Sequence, residues 1–277
     1  MTDRPVRRRR PQIVLEVVGS EHLTPTMVRV YLGGPNFAAF TSNEYTDRYV
    51  KIYFARPELG LEPPYDVAEL RERLAPEDLP VTRTYTVREV DEVEQRLAID
   101  VVVHGDQGVA GPWAARVRPG ERVVLSGPGG AYRPDPTADW HLLAGDESSL
   151  PAIAAALEAL PDDARGVAFV EVDGPQDELA LRVPAGVELR WLHRAPAAAG
   201  TTTLLPDAVG GYDWPEGRVH VFAHGEREAM KGLRDVLFAQ RGLERSQVSL
   251  SGYWAYGRTE DRFQAEKREP VGKIFTD

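Results

Sequence analysis

The chain changes rhythm near its middle, and that change narrows the folds open to it more than any other feature. In the first half, short apolar runs at Ile13 to Val18, Met27 to Leu32, Tyr49 to Phe54, Arg83 to Val87, Leu97 to Val103 and Arg122 to Leu125 are separated by glycine, proline and acidic turns. Arg96-Leu97-Ala98-Ile99-Asp100-Val101 shows the alternation of a half-buried strand, and closely spaced strands of this kind favour a sandwich or a barrel. Arg56 to Pro80 reads as a charged, proline-rich insertion with one helical candidate, Val67 to Leu74. Around Tyr132 to Trp140, Pro134, Asp135 and Pro136 mark a linker. Beyond it, strand signals at His141 to Ala144, Val167 to Val172, Val187 to Leu192, Val219 to Phe222 and Val248 to Leu250 are interspersed with helices at Ser149 to Leu160 and Glu226 to Gln240. Strands interspersed with helices argue for a parallel α/β sheet. A length of 277 residues accommodates both units.

Composition removes several chemistries. There is no cysteine, so the chain has no disulfide, thiolate nucleophile, Cys-ligated zinc or Cys-held iron–sulfur cluster, and redox chemistry requires a bound organic cofactor. With 43 acidic and 33 basic residues the net charge is −10, which argues against nucleic acid as a partner. The six histidines form no metal set, because His220 and His224, four apart, read as a strand and its turn. Arg7, Arg8, Arg9 and Arg10 precede Ile13, Val14 and Leu15, but Glu16 interrupts the apolar run, and no stretch reaches the length of a signal segment or a membrane helix. The expectation is a cytoplasmic protein without membrane insertion, its arginine run a solvated tail.

Two motifs in the first half carry chemistry. In Arg83-Thr84-Tyr85-Thr86 a period of two puts Arg83 and Tyr85 on one face, where a guanidinium can neutralise a phosphate while a phenol lies against an isoalloxazine. Thr86 would offer a hydroxyl near the flavin's reactive edge. An exposed cross-strand pair is the competing reading. Downstream, the glycine-rich loop His104-Gly105-Asp106-Gln107-Gly108-Val109-Ala110-Gly111-Pro112-Trp113-Ala114 opens a short helix through Val117, with Pro112 suited to its first position and amides free to approach a pyrophosphate.

Three stretches of the second half complete the pattern. Gly145, Asp146, Glu147, Ser148 and Ser149 end the first strand of the parallel sheet, where open α/β sheets bind nucleotides, and both serines are candidate helix caps. Ala223-His224-Gly225-Glu226 ends a later strand, with Glu226 a favourable charge at the next helix. Gly252-Tyr253-Trp254-Ala255-Tyr256-Gly257-Arg258-Thr259-Glu260-Asp261 follows the last, running on to Ala265-Glu266-Lys267-Arg268-Glu269. With these motifs the chain resembles the siderophore-interacting proteins, FAD-dependent and NAD(P)H-dependent ferric-siderophore reductases of the ferredoxin-reductase superfamily.

The resemblance implies an N-terminal antiparallel Greek-key FAD-binding barrel over residues 1–134 and a parallel-sheet nicotinamide-binding domain over 135–277 with a C-terminal substrate- or flavin-covering segment. It implies Tyr85 and Thr86 as catalytic residues. Arg83, Tyr85, Thr86, His104, Gly105, Gly111, Pro112, Trp113 and Ala114 would hold FAD, and Gly145, Asp146, Glu147, Ser148, Ser149, Arg194, Gly225 and Glu226 the NADPH or NADH. Arg194 also reads as a solvated surface arginine. Tyr253, Trp254 and Tyr256 would cover the flavin, with core packing as the competing reading. Arg258, Arg262, Lys267, Arg268 and Lys273 would form a basic rim steering an anionic ferric siderophore, or else an ordinary helix of paired charges. No protein ligand for iron is needed, and a monomer is the default. A flavin reductase feeding a protein partner and a non-catalytic ferric-siderophore carrier are the alternative functions.

Overall fold

A computed structural model describes residues 11–106 and 108–275, so the arginine run at 7–10 and Gln107 lie outside the described residues. Six strands, Gln12–Thr24 (β1), Met27–Gly33 (β2), Tyr49–Phe54 (β3), Val81–Asp91 (β4), Arg96–Val102 (β5) and Arg122–Gly129 (β6), close into an antiparallel barrel. Its order, β1-β2-β5-β4-β3-β6, places the consecutive strands β3, β4 and β5 side by side with β6 returning beside β3, the Greek-key pattern. The insertion between β3 and β4 carries helix Val67–Arg73 (α1), and the glycine loop opens Ala110–Ala114 (α2). Leu15, Val30, Leu32, Val50, Ile52, Ile99 and Leu125 fill the barrel. Strand β1 runs well past Val18 because a bulge between Val17 and Gly19 lets it continue pairing with β2.

The second unit begins with Trp140–Asp146 (β7) and Leu150–Ala159 (α3), followed by Arg165–Val172 (β8), Gly186–His193 (β9) and Leu204–Gly210 (α4). Val219–Glu226 (β10), Arg227–Arg234 (α5), Val248–Trp254 (β11) and Glu260–Glu266 (α6) complete it. The parallel sheet has the order β11-β10-β7-β8-β9, so strand order reverses between β7 and β10. Residues Asp235–Gln240 continue α5 as a π-helical turn, and Met230, Leu233 and Leu237 on its inner side are fully buried. Both His220 and His224 lie within β10, which extends to Glu226, rather than on a strand and its turn.

Helix α3 packs on the sheet face that meets the barrel, where Met27 of β2 joins Leu150, Ile153 and Phe222 in one cluster. The linker is pinned at this junction: Tyr132 is 2% exposed and its ring lies on His220 and Phe222. Arg88 of β4 pairs with Glu158 of α3, and the Thr26 hydroxyl donates to Asp177.

Burial overrides the simple alternation expected of β5. Asp100 stands opposite Arg29 on β2, and the two form a bidentate pair at 2.7 and 2.8 Å with the Asp100 side chain 1% exposed. Asp100→Ala strands a largely buried guanidinium, so we expect a loss of about 3–5 kcal/mol, read from the urea unfolding midpoint. A midpoint unchanged from the native protein would show the pair to be solvated.

Candidate functional site

The site assembles where the barrel meets the carboxyl ends of the parallel strands. On β4, Arg83 stands opposite Ile52 and Tyr85 opposite Val50, so the two share a face as their spacing requires. Tyr85 is half-buried against the barrel core, and burial pushes its phenol well above the usual range. The Arg83 guanidinium donates to the Thr82 carbonyl at 2.9 Å and to both Asp261 oxygens at 3.4 Å. Those last contacts are long, and Asp261 is 69% exposed against 16% for Arg83. A phosphate could displace such a carboxylate without uncovering a buried charge, so the donor set fits an anionic cofactor.

Beyond the Val87↔Ile99 pairing, β4 runs back toward Arg83 as β5 runs out into the glycine loop, so both lie at the same end of the barrel. Gly105 and Gly108 take φ values of 61° and 82°, and a Cβ at either would meet nothing within 4 Å, so they serve the turn rather than packing. Helix α2 stops at Ala114 rather than Val117, and Pro112 is its third residue, not its first. The missing N–H costs nothing there, because the first four amides of a helix have no partner in it. His104 is exposed, and Trp113 is half-buried, edge-on to Phe54 at 5.4 Å.

At the switch point between β7 and β10 the polar groups bind one another. Asp146 accepts from the Glu226 amide at 2.8 Å and the Trp254 indole at 2.9 Å through Oδ2, and from the Ser148 amide at 2.9 Å through Oδ1. Neither serine caps α3: Ser148 donates to Asp146, and Ser149 Oγ turns back to the Asp146 carbonyl at 3.0 Å. Gly145 is fixed by packing, since a Cβ would stand 1.9 Å from Ser149 Oγ. Glu226 caps α5 through the amides of Glu228 and Ala229 and also accepts from the Tyr256 amide at 3.0 Å.

Arg194 is not the solvated residue that a position just past the strand end allowed. Its side chain is 8% exposed, paired with Glu147 at 2.5 Å and Asp173 at 3.6 Å, and its Nε has no partner. Burial outweighs that pairing for Glu147 and pushes its carboxyl up to about 7.

Tyr253 and Trp254 belong to β11 rather than following it, because parallel pairing with β10 continues to Trp254. Tyr256 alone of the three aromatics is strongly exposed, at 55%. Tyr253 points into the seam, facing the Thr86 hydroxyl and bonded to His224 Nδ1 at 3.0 Å. Sequence reasoning missed His224, although its spacing of two from the apolar Phe222 marks a shared, buried face of β10.

The basic rim divides. Arg258 and Arg262 each donate to one oxygen of Glu266 at 2.8 Å, and Arg227 donates to the other at 2.6 Å. They are committed to a carboxylate 1% exposed, which they hold far below the usual range. Lys267, Arg268 and Lys273 are exposed, and Lys267 lies over the Phe263 ring at 4.5 Å. Burial of its stem and the nearby Lys51 push Lys267 down. Lys51 was missed, although an exposed cation between buried Val50 and Ile52 marks the outward face of β3.

Raising a carboxyl has a definite sign. Glu147 binds its proton more tightly folded than unfolded, so its contribution is favourable at low pH and is lost as pH rises from 4.5 to about 7. Glu147→Gln should flatten that part of the stability–pH curve in chemical unfolding; an unchanged slope would assign it to other groups.

A family model described as the siderophore-interacting FAD-binding domain matches residues 16–132, and one for the siderophore-interacting protein matches 138–257. An uncharacterised protein of Mycobacterium tuberculosis is 48% identical over 94% of this chain and 96% of its own length. The ferric vibriobactin reductase ViuB of Vibrio cholerae is 33% identical over 95% of this chain and 96% of that one. Among solved structures, a siderophore utilization protein from T. fusca superimposes with a TM-score of 0.78 at 41% identity, covering 90% of this chain and 94% of the other. The FAD- and NAD-binding part of a nitric oxide dioxygenase from V. cholerae, at 14% identity, a TM-score of 0.62 and coverage of 89% and 100%, shares the fold. The chain belongs to the siderophore-interacting protein family.

Proposed function

We propose that the protein is a ferric-siderophore reductase in which NAD(P)H reduces a bound FAD and the flavin reduces siderophore-held Fe(III). The observation that carries this reading is the seam itself. Thr86, one residue from Tyr85 and three from Arg83, faces Tyr253 at the end of the parallel sheet, so one junction joins a flavin motif to a nucleotide-binding edge. The ferric reductase relative supports the substrate class.

Bound FAD supplies the conversion of a two-electron hydride donor into single-electron steps. Arg83 would hold its phosphate, and Tyr85 and Thr86 would border its ring system. The loop from His104 to Ala114 gives backbone amides to the pyrophosphate. Gly145 through Ser149, Arg194, Gly225 and Glu226 border the nicotinamide side. Within that set, Asp146 and Glu226 act by position, since their carboxylates are occupied by backbone and indole donors. Tyr256 offers an exposed ring beside the site. Lys51 joins Lys267, Arg268 and Lys273 in attracting the anionic ferric chelate, which remains a substrate with no protein ligand to iron. Reduction releases the metal because Fe(II) is held less tightly than Fe(III) by hard oxygen ligands.

An anaerobic titration tests the assignment. Purified protein reconstituted with FAD should bleach with NADPH or NADH, and a ferric hydroxamate should restore the colour while Fe(II) appears. Bleaching without iron-dependent recovery would favour a protein electron acceptor, and failure to take up FAD would end both readings. Arg83→Ala removes a charge-assisted contact, and a loss of about 1.5–3 kcal/mol corresponds to roughly 10–150-fold weaker FAD retention. Unchanged retention would release Arg83 from the phosphate. Replacing Lys51 and Lys267 together by Ala should slow reduction of an anionic ferric chelate more than that of a neutral one; equal effects would assign both lysines to the plain surface.

A further inference from the structure

The carboxyl ends of β8 and β9 carry an excess of negative charge that the reading above does not use. From Glu171 to Glu178 and from His193 to Thr203 the chain holds four carboxylates, Glu171, Asp173, Asp177 and Glu178, against one arginine, Arg194, and one histidine, His193. Pairing of the two strands runs on past Val172 and His193. The Arg194 amide donates to the Val172 carbonyl at 3.1 Å and the Ala195 amide to the Asp173 carbonyl at 3.0 Å, which fixes Asp173 beside Arg194. Two of the carboxylates are used inside the protein: Glu171, 4% exposed, accepts from the Thr202 hydroxyl at 2.8 Å, and buried Asp177 accepts from that of Thr26. Asp173 and Glu178 keep side chains 42% and 36% exposed. Both cations already face carboxylates. His193 Nε2 is 2.7 Å from Glu178, and the Arg194 guanidinium, 8% exposed, gives one end to Glu147 at 2.5 Å while the other lies 3.6 Å from Asp173. That last contact is too long for a hydrogen bond, so Asp173 is an exposed acceptor.

A dinucleotide on an open α/β sheet lies across the point where strand order reverses, with one half on each side. Here that point falls between β7 and β10. Arg83 of the flavin motif meets Asp261, beyond the end of β11, so the hydride-donating half belongs on the β10–β11 side. The adenosine half then falls on the ends of β8 and β9. Its ribose 2′ position is where the two nicotinamide cofactors differ. NADH has a hydroxyl there, which can donate; NADPH has a phosphate, which accepts and carries about −1.5 to −2 charges at pH 7.

We infer that this crevice selects NADH and rejects NADPH, with Asp173 accepting from the ribose 2′-hydroxyl and Glu147 withholding Arg194 from a 2′-phosphate. The inference rests on the reductase reading above and names the nucleotide that feeds it. A carboxylate fits a hydroxyl donor and repels a phosphate, and the half-exposed Glu178 adds to that repulsion. Specificity of this kind comes from an unfavourable contact with the wrong ligand as much as from a favourable one with the right ligand. To reach a phosphate, Arg194 would have to leave Glu147, whose side chain is 7% exposed, and strip a buried carboxyl of its partner. Asp173 and Glu147 therefore set specificity at a distance from the transferred hydride.

ADP-ribose and 2′-phospho-ADP-ribose carry the adenosine halves of the two cofactors without a nicotinamide, so calorimetric titration of the FAD-loaded protein reads the preference without turnover. ADP-ribose should bind at least about tenfold more tightly. Asp173→Ser removes the charge and supplies a hydroxyl, and should narrow that ratio by about tenfold. Glu147→Gln should strengthen binding of the phosphorylated ligand, and it carries the same test if Asp173→Ser does not fold. Anaerobic bleaching of the flavin should follow the same order, with kcat/KM higher for NADH than for NADPH. Equal or tighter binding of 2′-phospho-ADP-ribose by the native protein, together with bleaching by NADPH, would overturn the NADH assignment and leave the reductase reading standing. A native preference for ADP-ribose that both variants keep in full would remove Asp173 and Glu147 from the selection and overturn the inference as well. Binding of neither ligand, with no bleaching by either nucleotide, would end the nicotinamide reading itself, an outcome distinct from the other two.

Discussion

The carboxylate of Asp146 holds the junction together. It ends β7, yet it accepts from the amide at the end of β10 and from the indole at the end of β11, so three strand ends are tied at the point where strand order reverses. The backbone beside it is shaped to match: Gly225 has φ +155°, and a Cβ there would lie 2.8 Å from Asp146 Oδ2. In a water-poor crevice each of these donors would be costly without its acceptor. The placement of β11, and therefore of Tyr253 against Thr86, follows from this bonding.

Charge is distributed by the same economy of partners. An acidic chain of net charge −10 gathers Arg227, Arg258 and Arg262 on one buried carboxylate, Glu266, and in doing so anchors α6 to α5 and to the turn after β11. That anchoring brings Asp261 to Arg83 and Lys267 into the field of Lys51. The C-terminal segment is thus positioned by ion pairs on its inner side, and Lys267 and Lys273 are exposed.

Much of this was legible in the residues, and for definite reasons. Period-two patterning located all six barrel strands, and the strand–helix rhythm located the parallel sheet, because both register burial, which the apolar pattern reports directly. The shared face of Arg83 and Tyr85 follows from the same periodicity. What the pattern could not show were contacts made at long range. Asp100 reads as the polar face of a strand until Arg29 covers it, and Arg194 reads as solvated until Glu147 claims it. Ser148 and Ser149 have the composition of caps, but Asp146 competes for their hydroxyls. His224 takes its partners from Tyr253 and Ser249, residues 29 and 25 positions away in sequence, a juxtaposition set by β10–β11 pairing.

The most direct measurement is a crystal structure of the protein loaded with FAD. The account predicts a flavin phosphate on the Arg83 guanidinium with Asp261 displaced, the ring system against Tyr85, and its reactive edge at the Thr86 hydroxyl in front of Tyr253. A flavin bound elsewhere, or an Arg83 that keeps Asp261 while the phosphate lies on other groups, would contradict it.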